Sequence, residues 1–157
     1  MKLKMFVVLV ALLCVSFPAY AEVMAVVTAP SAPLLAQDGT LDDEAIYGLT
    51  VNAIQSSDVV LLGMPHGYDS TDRKNVQLVS PEEAESWNAS ITHQVIAPFA
   101  DIQPEAATSS YPPIITLPRG AYLKIGEVNP DDDRYVEAEL FGGVKGWVRK
   151  PLVRPVR

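Results

Sequence analysis

Two segments of this sequence, over residues 27–77 and 95–153, repeat one pattern of residue types in weak form. The offset between equivalent residues grows in small steps along the chain: residues 27–34 correspond to 95–102 at an offset of 68, residues 47–51 to 119–123 at 72, and residues 73–76 to 149–152 at 76. Short insertions in turns produce such steps when one fold occurs twice. The sequence therefore predicts two copies of one small fold in tandem.

Short apolar runs separated by prolines and glycines favour strands and turns over helices. The chain has 13 prolines and 9 glycines, and these residues mark turns. Residues 134–140 alternate apolar and polar or charged side chains, as a half-buried strand requires. The pair Gly142 and Gly143 predicts a tight hairpin turn, and residues 146–149 form the returning strand. We expect an all-β fold with one small barrel in each copy.

The first copy is predicted to have the same skeleton. Residues 49–54 alternate apolar with polar side chains, and residues 59–64 form a continuous apolar strand. Residues 66–69 occupy the hairpin position. The barrel pattern is therefore expected in both copies.

A helix is predicted between the copies. Ser80 can cap it, Pro81 suits the first turn, and Glu83 lies three residues on to complete a capping box. Trp87 is the one large apolar residue of this segment. We expect the helix to dock Trp87 against a barrel.

The first 21 residues have the layout of a secretory signal peptide. A lysine-containing start precedes an apolar run over residues 5–15, and small residues stand at positions 19 and 21, where signal peptidases require them. We expect cleavage before Glu22 and export of the mature chain to the cell envelope or the extracellular space. A lipid anchor on Cys14 is the rival, but Leu13 occupies the position where lipidation signals need a small residue.

Cleavage removes Cys14, the only cysteine of the sequence. The mature chain then has no disulfide, no thiolate nucleophile and no thiolate metal ligand. The full chain has 12 basic and 19 acidic residues and a formal net charge of −7. This charge disfavours nucleic acid and anionic lipid as partners. No second apolar run is long enough to predict a membrane span.

No combination of residues in the sequence is typical of a catalytic, metal or cofactor site. His66 and His93 fall in a turn and before a strand, which favours locally bonded imidazoles, so we expect no enzymatic activity. Residues 131–133 lack the alternating oxygen ligands of a calcium loop. They are predicted to be a solvated connector, as are residues 42–44. We therefore expect no metal and no cofactor.

Aromatic residues near turns are the candidate binding residues. Tyr68 and Tyr122 are expected at partly exposed groove positions, since sugar rings and peptide side chains bind aromatic faces. Arg119 is a candidate carboxylate clamp, because guanidinium groups pair with carboxylates in a planar fork. Trp147 and its neighbour Gly146 are predicted to be structural, with the indole packed beneath the last hairpin.

The second copy resembles a bacterial SH3 domain of the SH3b type. The resemblance rests on the opening strand, an aromatic strand, a glycine turn, a Gly-Trp-Val segment and a closing leucine: residues 95–102, 135–140, 142–143, 146–148 and Leu152. The first copy departs from this pattern, because residues 70–72 (Ser-Thr-Asp) stand where the second copy has Gly-Trp-Val. The whole chain after the signal peptide resembles the N-terminal, non-catalytic region of exported NlpC/P60-type cell-wall peptidases that carry two such domains.

The resemblance implies four segments: a signal peptide over 1–21, a divergent SH3b-like barrel over 22–79, a helical linker over 80–92 and a second SH3b-like barrel over 93–157. NlpC/P60 chemistry needs a cysteine nucleophile activated by a histidine, and the mature chain has no cysteine. The implied function is therefore a non-catalytic module that binds cell-wall peptide or peptidoglycan, or that targets an envelope protein to the wall. Two alternatives stay open: a regulatory half that docks a separately encoded NlpC/P60-type peptidase, and a truncated remnant of such a peptidase.

Overall fold

A computed structural model describes residues 23–107 and 111–156. These residues form fourteen β-strands, one α-helix and two short 3-10 helices, so the predicted all-β fold class is confirmed. The predicted signal peptide and Cys14 lie outside the described residues. In the described part of the chain, no helix is both long and apolar enough to cross a bilayer.

The elements fall into two halves on either side of the α-helix. The first half comprises β1 (Val23–Val27), β2 (Ser31–Leu35), β3 (Leu41–Ile46), β4 (Thr50–Ser56), β5 (Val59–Met64), β6 (Gly67–Asp72), the 3-10 helix Arg73–Asn75 and β7 (Val76–Val79). Helix α1 (Pro81–Ser90) follows. The second half comprises β8 (His93–Val95), β9 (Phe99–Ile102), β10 (Ile115–Pro118), β11 (Tyr122–Val128), β12 (Tyr135–Glu139), β13 (Lys145–Arg149), the 3-10 helix Lys150–Leu152 and β14 (Val153–Pro155).

The two halves repeat the same strand order and the same antiparallel pairings. The first half forms one sheet in the order β3-β2-β6-β5-β4-β1-β7. The second half forms a sheet in the order β13-β12-β11-β8-β14 and a separate β9-β10 pair. A bridge between Gln103 and Trp147 joins β9 to β13, as the pairing of Leu35 with Ser70 joins β2 to β6. The internal repeat of the sequence is thus a repeat of structure.

Backbone hydrogen bonds fix which residues of the two halves are equivalent. The Gly48 N–H donates to the Val27 carbonyl and the Gly120 N–H to the Val95 carbonyl, each at 2.9 Å. These bonds support the offset of 72 at this turn. Further along, the carbonyls of Asn75 and Leu152 take equivalent roles, each accepting from the turn after the first strand of its half.

The last of these pairs makes residue 75 the equivalent of residue 152 in the repeat. The offset there is 77 rather than the predicted 76. Gly146, Trp147 and Val148 therefore correspond to residues 69–71, not to residues 70–72. In β13 the inward positions are Gly146 and Val148, while Trp147 is only partly buried and lies in neither apolar core. The prediction that Trp147 packs beneath the hairpin is corrected, because strand alternation turns it to the opposite face.

Helix α1 begins where the sequence predicts. The Ser80 hydroxyl accepts from the Glu83 N–H at 3.2 Å, and the Glu83 carboxylate accepts from the Ser80 N–H at 3.0 Å. This is the expected capping box, which satisfies two of the backbone donors that a helix start leaves unpaired. The glycine turn at 142–143 is also confirmed, since both glycines have a positive φ and close the hairpin between Leu140 and Val144.

Two apolar cores hold the molecule together. One lies inside the first half and includes Leu34, Val60 and Leu62. The other fills the second half but continues into residues of the first half and of α1: Val26, Tyr47, Val79, Ala84 and Trp87. The two halves therefore share a core. They meet at the turn that precedes β4.

Candidate functional site at the junction of the two halves

Tyr47 connects the first half to the second through both its backbone and its side chain. Its hydroxyl oxygen accepts a hydrogen bond from the Phe141 N–H at 2.8 Å, and its carbonyl accepts from the Tyr122 N–H at 3.1 Å. The side chain is 3% exposed. Burial raises the pKa of Tyr47 to about 12, because the phenolate form would lose its hydration. Tyr47 is therefore uncharged, and its hydrogen bonds hold the two halves together at the junction.

Gly48 allows the backbone of the first half to approach the Tyr122 segment of the second half closely at this turn. Its φ is +85°, a conformation that favours glycine. A Cβ at this position would lie 2.9 Å from the Tyr122 Cβ and 3.1 Å from the Tyr122 carbonyl oxygen. The junction thus requires glycine both for its backbone conformation and for space.

Trp87 of helix α1 contacts both halves at once. Its indole Nε1–H donates to the Gly48 carbonyl at 2.9 Å. Its ring meets Phe141 edge to face, with centroids 5.5 Å apart and planes at 83°, a favourable arrangement for aromatic rings. Trp87 is 7% exposed. It was expected to dock against one barrel, and in the structure it packs between the two.

A groove of about 660 Å³ opens beside this junction. Its walls come from the first half, from α1 and the segment after it, and from the second half: Gly48, Leu49, Thr50, Asn88, Ala89, Ile91, Thr92, His93, Tyr122, Pro155 and Val156. The volume falls in the range of sites that hold small ligands, and such sites combine apolar walls with a few placed polar groups.

The polar groups of the groove are held by one another and by the backbone. The Thr50 hydroxyl donates to the Asn88 side-chain carbonyl at 2.9 Å. Among the described residues the amide nitrogen of Asn88 has no hydrogen-bond partner, so it is available to a ligand. The Thr92 hydroxyl accepts from the Ile125 N–H and lies 2.9 Å from the His93 Nδ1. Burial lowers the pKa of His93, which favours a neutral imidazole in the groove.

The structure does not bring the predicted binding residues together. Tyr122 lines the groove and is partly buried. Arg119 is exposed and lines a different cavity of about 380 Å³ with Arg154. Tyr68, at 48% exposure, lies on β6 beside Gly63. In the described part of the chain, these three residues therefore do not line one common cavity.

Sequence reasoning missed most of the groove. No ligand-binding motif marks Thr50, Asn88 or His93 in the sequence, and they meet only because α1 folds back against the junction. One signal could have found the turn, since Gly48 and Gly120 match in the repeat. A glycine retained in both copies indicates a special backbone conformation.

A second group of polar side chains lies apart from the groove, at the hairpin between β5 and β6. The His66 Nε2 is 2.7 Å from the Asp69 Oδ2 and 2.9 Å from the Asp42 Oδ2. The hydrogen bond with Asp69, together with the charges of Asp42 and Asp43, raises the pKa of His66 above its usual value. Residues 42–44 were expected in a solvated connector, but they lie within β3.

Residues 131–133 form the predicted connector between β11 and β12. The Asn129 side-chain oxygen accepts from the N–H groups of Asp131 and Asp132, each at 2.9 Å. This is ordinary turn chemistry for asparagine. Asp132 also pairs with Arg134 at 2.6 Å, and this pairing lowers the pKa of the Asp132 carboxyl to about 2.

No protein-family model matches the chain, and no curated protein sequence matches it. Among solved structures it is similar to an NlpC/P60 family protein from Bacillus cereus, with 16% identity and a TM-score of 0.60 over 85% of this chain. NlpC2 and NlpC1 from Trichomonas vaginalis match 87% and 88% of the chain and 49% and 48% of their own lengths. Their identities are 10% and 9% and their TM-scores are both 0.33, too low to support an argument.

The chain spans 56% of the length of the Bacillus cereus protein. At 16% identity the match concerns the fold alone. The described residues have a fold related to part of an NlpC/P60 family protein.

Proposed function

We propose that this chain is an exported, non-catalytic module of two SH3b-like barrels that binds cell-wall peptide in the groove at their junction. The observation that carries the proposal is the composition of this groove, whose walls come from both halves and from α1. A ligand in it touches the whole unit rather than one barrel. The fold shared with part of an NlpC/P60 family protein supports a role at the cell wall.

The groove is suited to a short peptide because its walls are fixed before a ligand arrives. Trp87 and Gly48 hold the two halves in one arrangement through the indole hydrogen bond and the close contact with Tyr122. A preformed site loses less conformational freedom on binding than a flexible one. Leu49, Ile91 and the aromatic face of Tyr122 supply apolar contact.

The polar groups of the groove match the chemistry of a peptide backbone. The side-chain nitrogen of Asn88 can donate to a peptide carbonyl. When the neutral His93 ring accepts a hydrogen bond from the Thr92 hydroxyl at Nδ1, its own proton is on Nε2. The Nε2–H group is then a second donor. Two donors between apolar walls fix the orientation of a bound chain.

The residues that line the groove support a binding role rather than a catalytic one. Cysteine is absent from residues 22–157, so the thiolate nucleophile of NlpC/P60 chemistry has no counterpart there. Among the described residues, no carboxylate lines the groove to orient the His93 ring. Nucleophile, base and orienting group are therefore not assembled in it.

Binding to purified peptidoglycan sacculi and to soluble muropeptides tests the proposal. Ala89 is an exposed groove residue of α1, so Ala89→Trp fills the groove at little cost to folding. We expect this variant to lose muropeptide binding by at least about tenfold in Kd, a change of about 1.4 kcal/mol. Asn88→Ala is expected to weaken binding by a smaller factor, about that of one hydrogen bond.

Tyr68→Ala is the matched control, because it removes an exposed aromatic ring that lies outside the groove. It should bind like the unmodified chain. Absence of retention on sacculi at low salt would refute the proposal. Equal losses in Tyr68→Ala and Ala89→Trp would also refute it, because such a result would separate binding from the groove.

A second candidate function is docking to a separately encoded NlpC/P60-type catalytic domain. The match covers 56% of the Bacillus cereus protein, and the unmatched part of that protein leaves room for a further domain. The second half exposes Phe99 at 69% and Ile114 at 41%. Phe99 also borders a cavity of about 400 Å³ that includes Arg149. Exposed apolar side chains of this kind are frequent at protein interfaces.

The two candidates make opposite predictions in one pair of assays. Under the first, the purified chain binds sacculi without any other protein. Under the second, it binds a purified NlpC/P60 catalytic domain, and Phe99→Ser weakens that complex without changing retention on sacculi. Binding to the catalytic domain alone would favour the second candidate.

A further inference from the structure

Three side chains that are distant in sequence meet beside the β5–β6 hairpin. The His66 Nε2 lies 2.7 Å from the Asp69 Oδ2 and 2.9 Å from the Asp42 Oδ2. The three atoms all lie within 4.8 Å of one another. They come from β3, from the hairpin turn and from β6, so the fold assembles them.

The carboxylate of Asp69 occupies a position that faces the apolar core of the first half. Asp69 is 3% exposed and pairs across the sheet with Leu62, which is 0% exposed. Burying a carboxylate is unfavourable unless a cation compensates its charge. Among the described residues, the side-chain partner of Asp69 is His66.

One imidazole does not fully compensate two carboxylates. The His66 Nε2 carries at most one proton, yet oxygens of Asp42 and Asp69 both lie within hydrogen-bond distance of it. A protonated ring leaves one negative charge of the pair uncompensated. A divalent cation with a neutral ring compensates both.

The equivalent place in the second half is free of these charged groups. Gly146 corresponds to Asp69, and Ile114 corresponds to Asp42 at the offset of 72 that relates β10 to β3. The second hairpin has a longer turn with Gly142 and Gly143 where the first has His66. A Cβ built on Gly146 would lie 3.0 Å from the Ile114 Cδ1, which shows that these positions also adjoin one another. The second hairpin carries an ion pair between Lys145 and Glu137 at 2.9 Å, but it has no counterpart of the His66 and Asp69 pair. That pair is therefore not required by the fold.

We propose that Asp42, His66 and Asp69 form a binding site for a divalent transition-metal cation, with Zn²⁺ as the best match. One imidazole nitrogen and two carboxylate oxygens are a donor set that zinc accepts in tetrahedral coordination, with a fourth position for water. Calcium and magnesium prefer oxygen ligands throughout. No metal was predicted from the sequence, in which residues 42–44 were interpreted as a solvated connector and His66 as a locally bonded imidazole.

The site needs a small expansion to hold zinc. Zinc lies about 2.0–2.2 Å from nitrogen and oxygen ligands, which places tetrahedral ligand atoms about 3.3–3.6 Å apart. The distances from the His66 Nε2 to the two carboxylates are shorter by roughly half an ångström. The side chains of His66 and Asp42 are 51% and 44% exposed and are free to move outward. The buried Asp69 stays in place as the anchor.

Calorimetric titration of the chelator-treated chain with zinc chloride tests the site. We expect one zinc ion per chain. His66→Gln and Asp42→Asn should each raise the Kd by at least about tenfold, since each removes one ligand. Asp43→Asn is the matched control, because it removes a neighbouring charge of β3 that is not a member of the cluster. It should bind zinc nearly as well as the unmodified chain.

A second measurement on the unmodified chain keeps the test independent of how well the variants fold. The chain has two histidines, and zinc should shift the ring resonances of His66 in NMR spectra while those of His93 stay unchanged. Absence of binding up to about 1 mM zinc would overturn the proposal and leave the cluster as a shared-proton contact. Equal weakening by Asp43→Asn and His66→Gln, or a shift confined to His93, would overturn it as well. Neither measurement depends on ligand binding in the groove.

Discussion

The turn before the fourth strand of each half shows how two copies of one backbone acquire different roles. In both copies a glycine with positive φ donates its N–H to the first strand at 2.9 Å, Gly48 in one and Gly120 in the other. The residues before them differ: Tyr47 is buried in the junction, whereas Arg119 is exposed. The backbone of the turn is thus set by the repeated fold. Its side chains decide whether the turn joins the other half or faces solvent.

The hairpins of the two halves differ in the same way. The first half places Asp69 at an inward position of β6, and the second half places Gly146 at the equivalent position of β13. The first hairpin has a carboxylate at this inward position, and the second is packed closely around a glycine. The duplicated backbone therefore tolerates opposite chemistry at equivalent places, and the junction and the charged cluster are both specialisations of the first copy.

The largest expected effect comes from the aromatic residue that contacts both halves. Trp87→Ala should lower the free energy of unfolding by about 3–5 kcal/mol, because it leaves a cavity in the core that the two halves share and removes the hydrogen bond to Gly48. Trp147→Ala is the control, since this tryptophan lies in neither core and should cost clearly less. Urea denaturation measures both. Equal losses would contradict the junction as described.

The two equivalent glycines provide a matched pair. Gly120→Ala should cost about 1–2 kcal/mol, because alanine disfavours the left-handed conformation. Gly48→Ala should cost about 1–2 kcal/mol more, since its Cβ would also press on Tyr122 at 2.9 Å. Chemical denaturation of both variants gives the difference. A larger loss for Gly120→Ala would mean that the close approach at Gly48 contributes nothing.

The buried tyrosine predicts a loss of stability at alkaline pH. Burial raises the pKa of Tyr47 to about 12 from 10.0, so the folded chain retains its proton where the unfolded chain releases it. The stabilisation is complete below pH 10 and is lost as the pH rises to 12. It should amount to about 2–3 kcal/mol. Tyr47→Phe should lack this part of the pH dependence in thermal denaturation.

Tyr47→Phe carries its own cost at neutral pH. It removes the acceptor for the Phe141 N–H, which should lower stability by about 1 kcal/mol. A pH profile between 10 and 12 that is identical in both proteins would show that Tyr47 does not stay neutral in the folded state.

The smallest expected effect lies at the exposed turn. Arg119→Ala should change the free energy of unfolding by less than about 0.5 kcal/mol, because the side chain is exposed to solvent and, unlike Tyr47, is not buried in the junction. Thermal denaturation of Arg119→Ala and Tyr47→Phe under the same conditions compares the two losses of stability directly. A loss that exceeds the one at Tyr47 would mean that the open turn is a hidden interface.

Local signals were sufficient for much of the fold. Alternation predicted β12, the glycine pair predicted the hairpin at 142–143, and the capping box at Ser80 predicted the start of α1. Each of these features depends on residues within one turn or one strand. The repeat then indicated that the first half has the same order of strands.

Non-local features could not be predicted in the same way. The predicted offset was wrong by one residue, so Trp147 was matched to Thr71 instead of Ser70. Thr71 is an inward position of β6, and Ser70 is not. A slip of one residue turns a side chain to the other face of the sheet. The Tyr47 hydroxyl finds its partner 94 residues away. No periodicity reports such a contact, so the junction and its groove became visible only in the folded chain.

The most direct test of the proposed groove is a map of backbone amide shifts in NMR spectra as soluble muropeptides are added. Binding in the groove should shift amides on both of its sides, at Thr50 of the first half, at Asn88 of α1, and at Tyr122 and Val156 of the second. Shifts confined to the open turn at Arg119, or no shifts at all, would contradict a binding site formed by the junction.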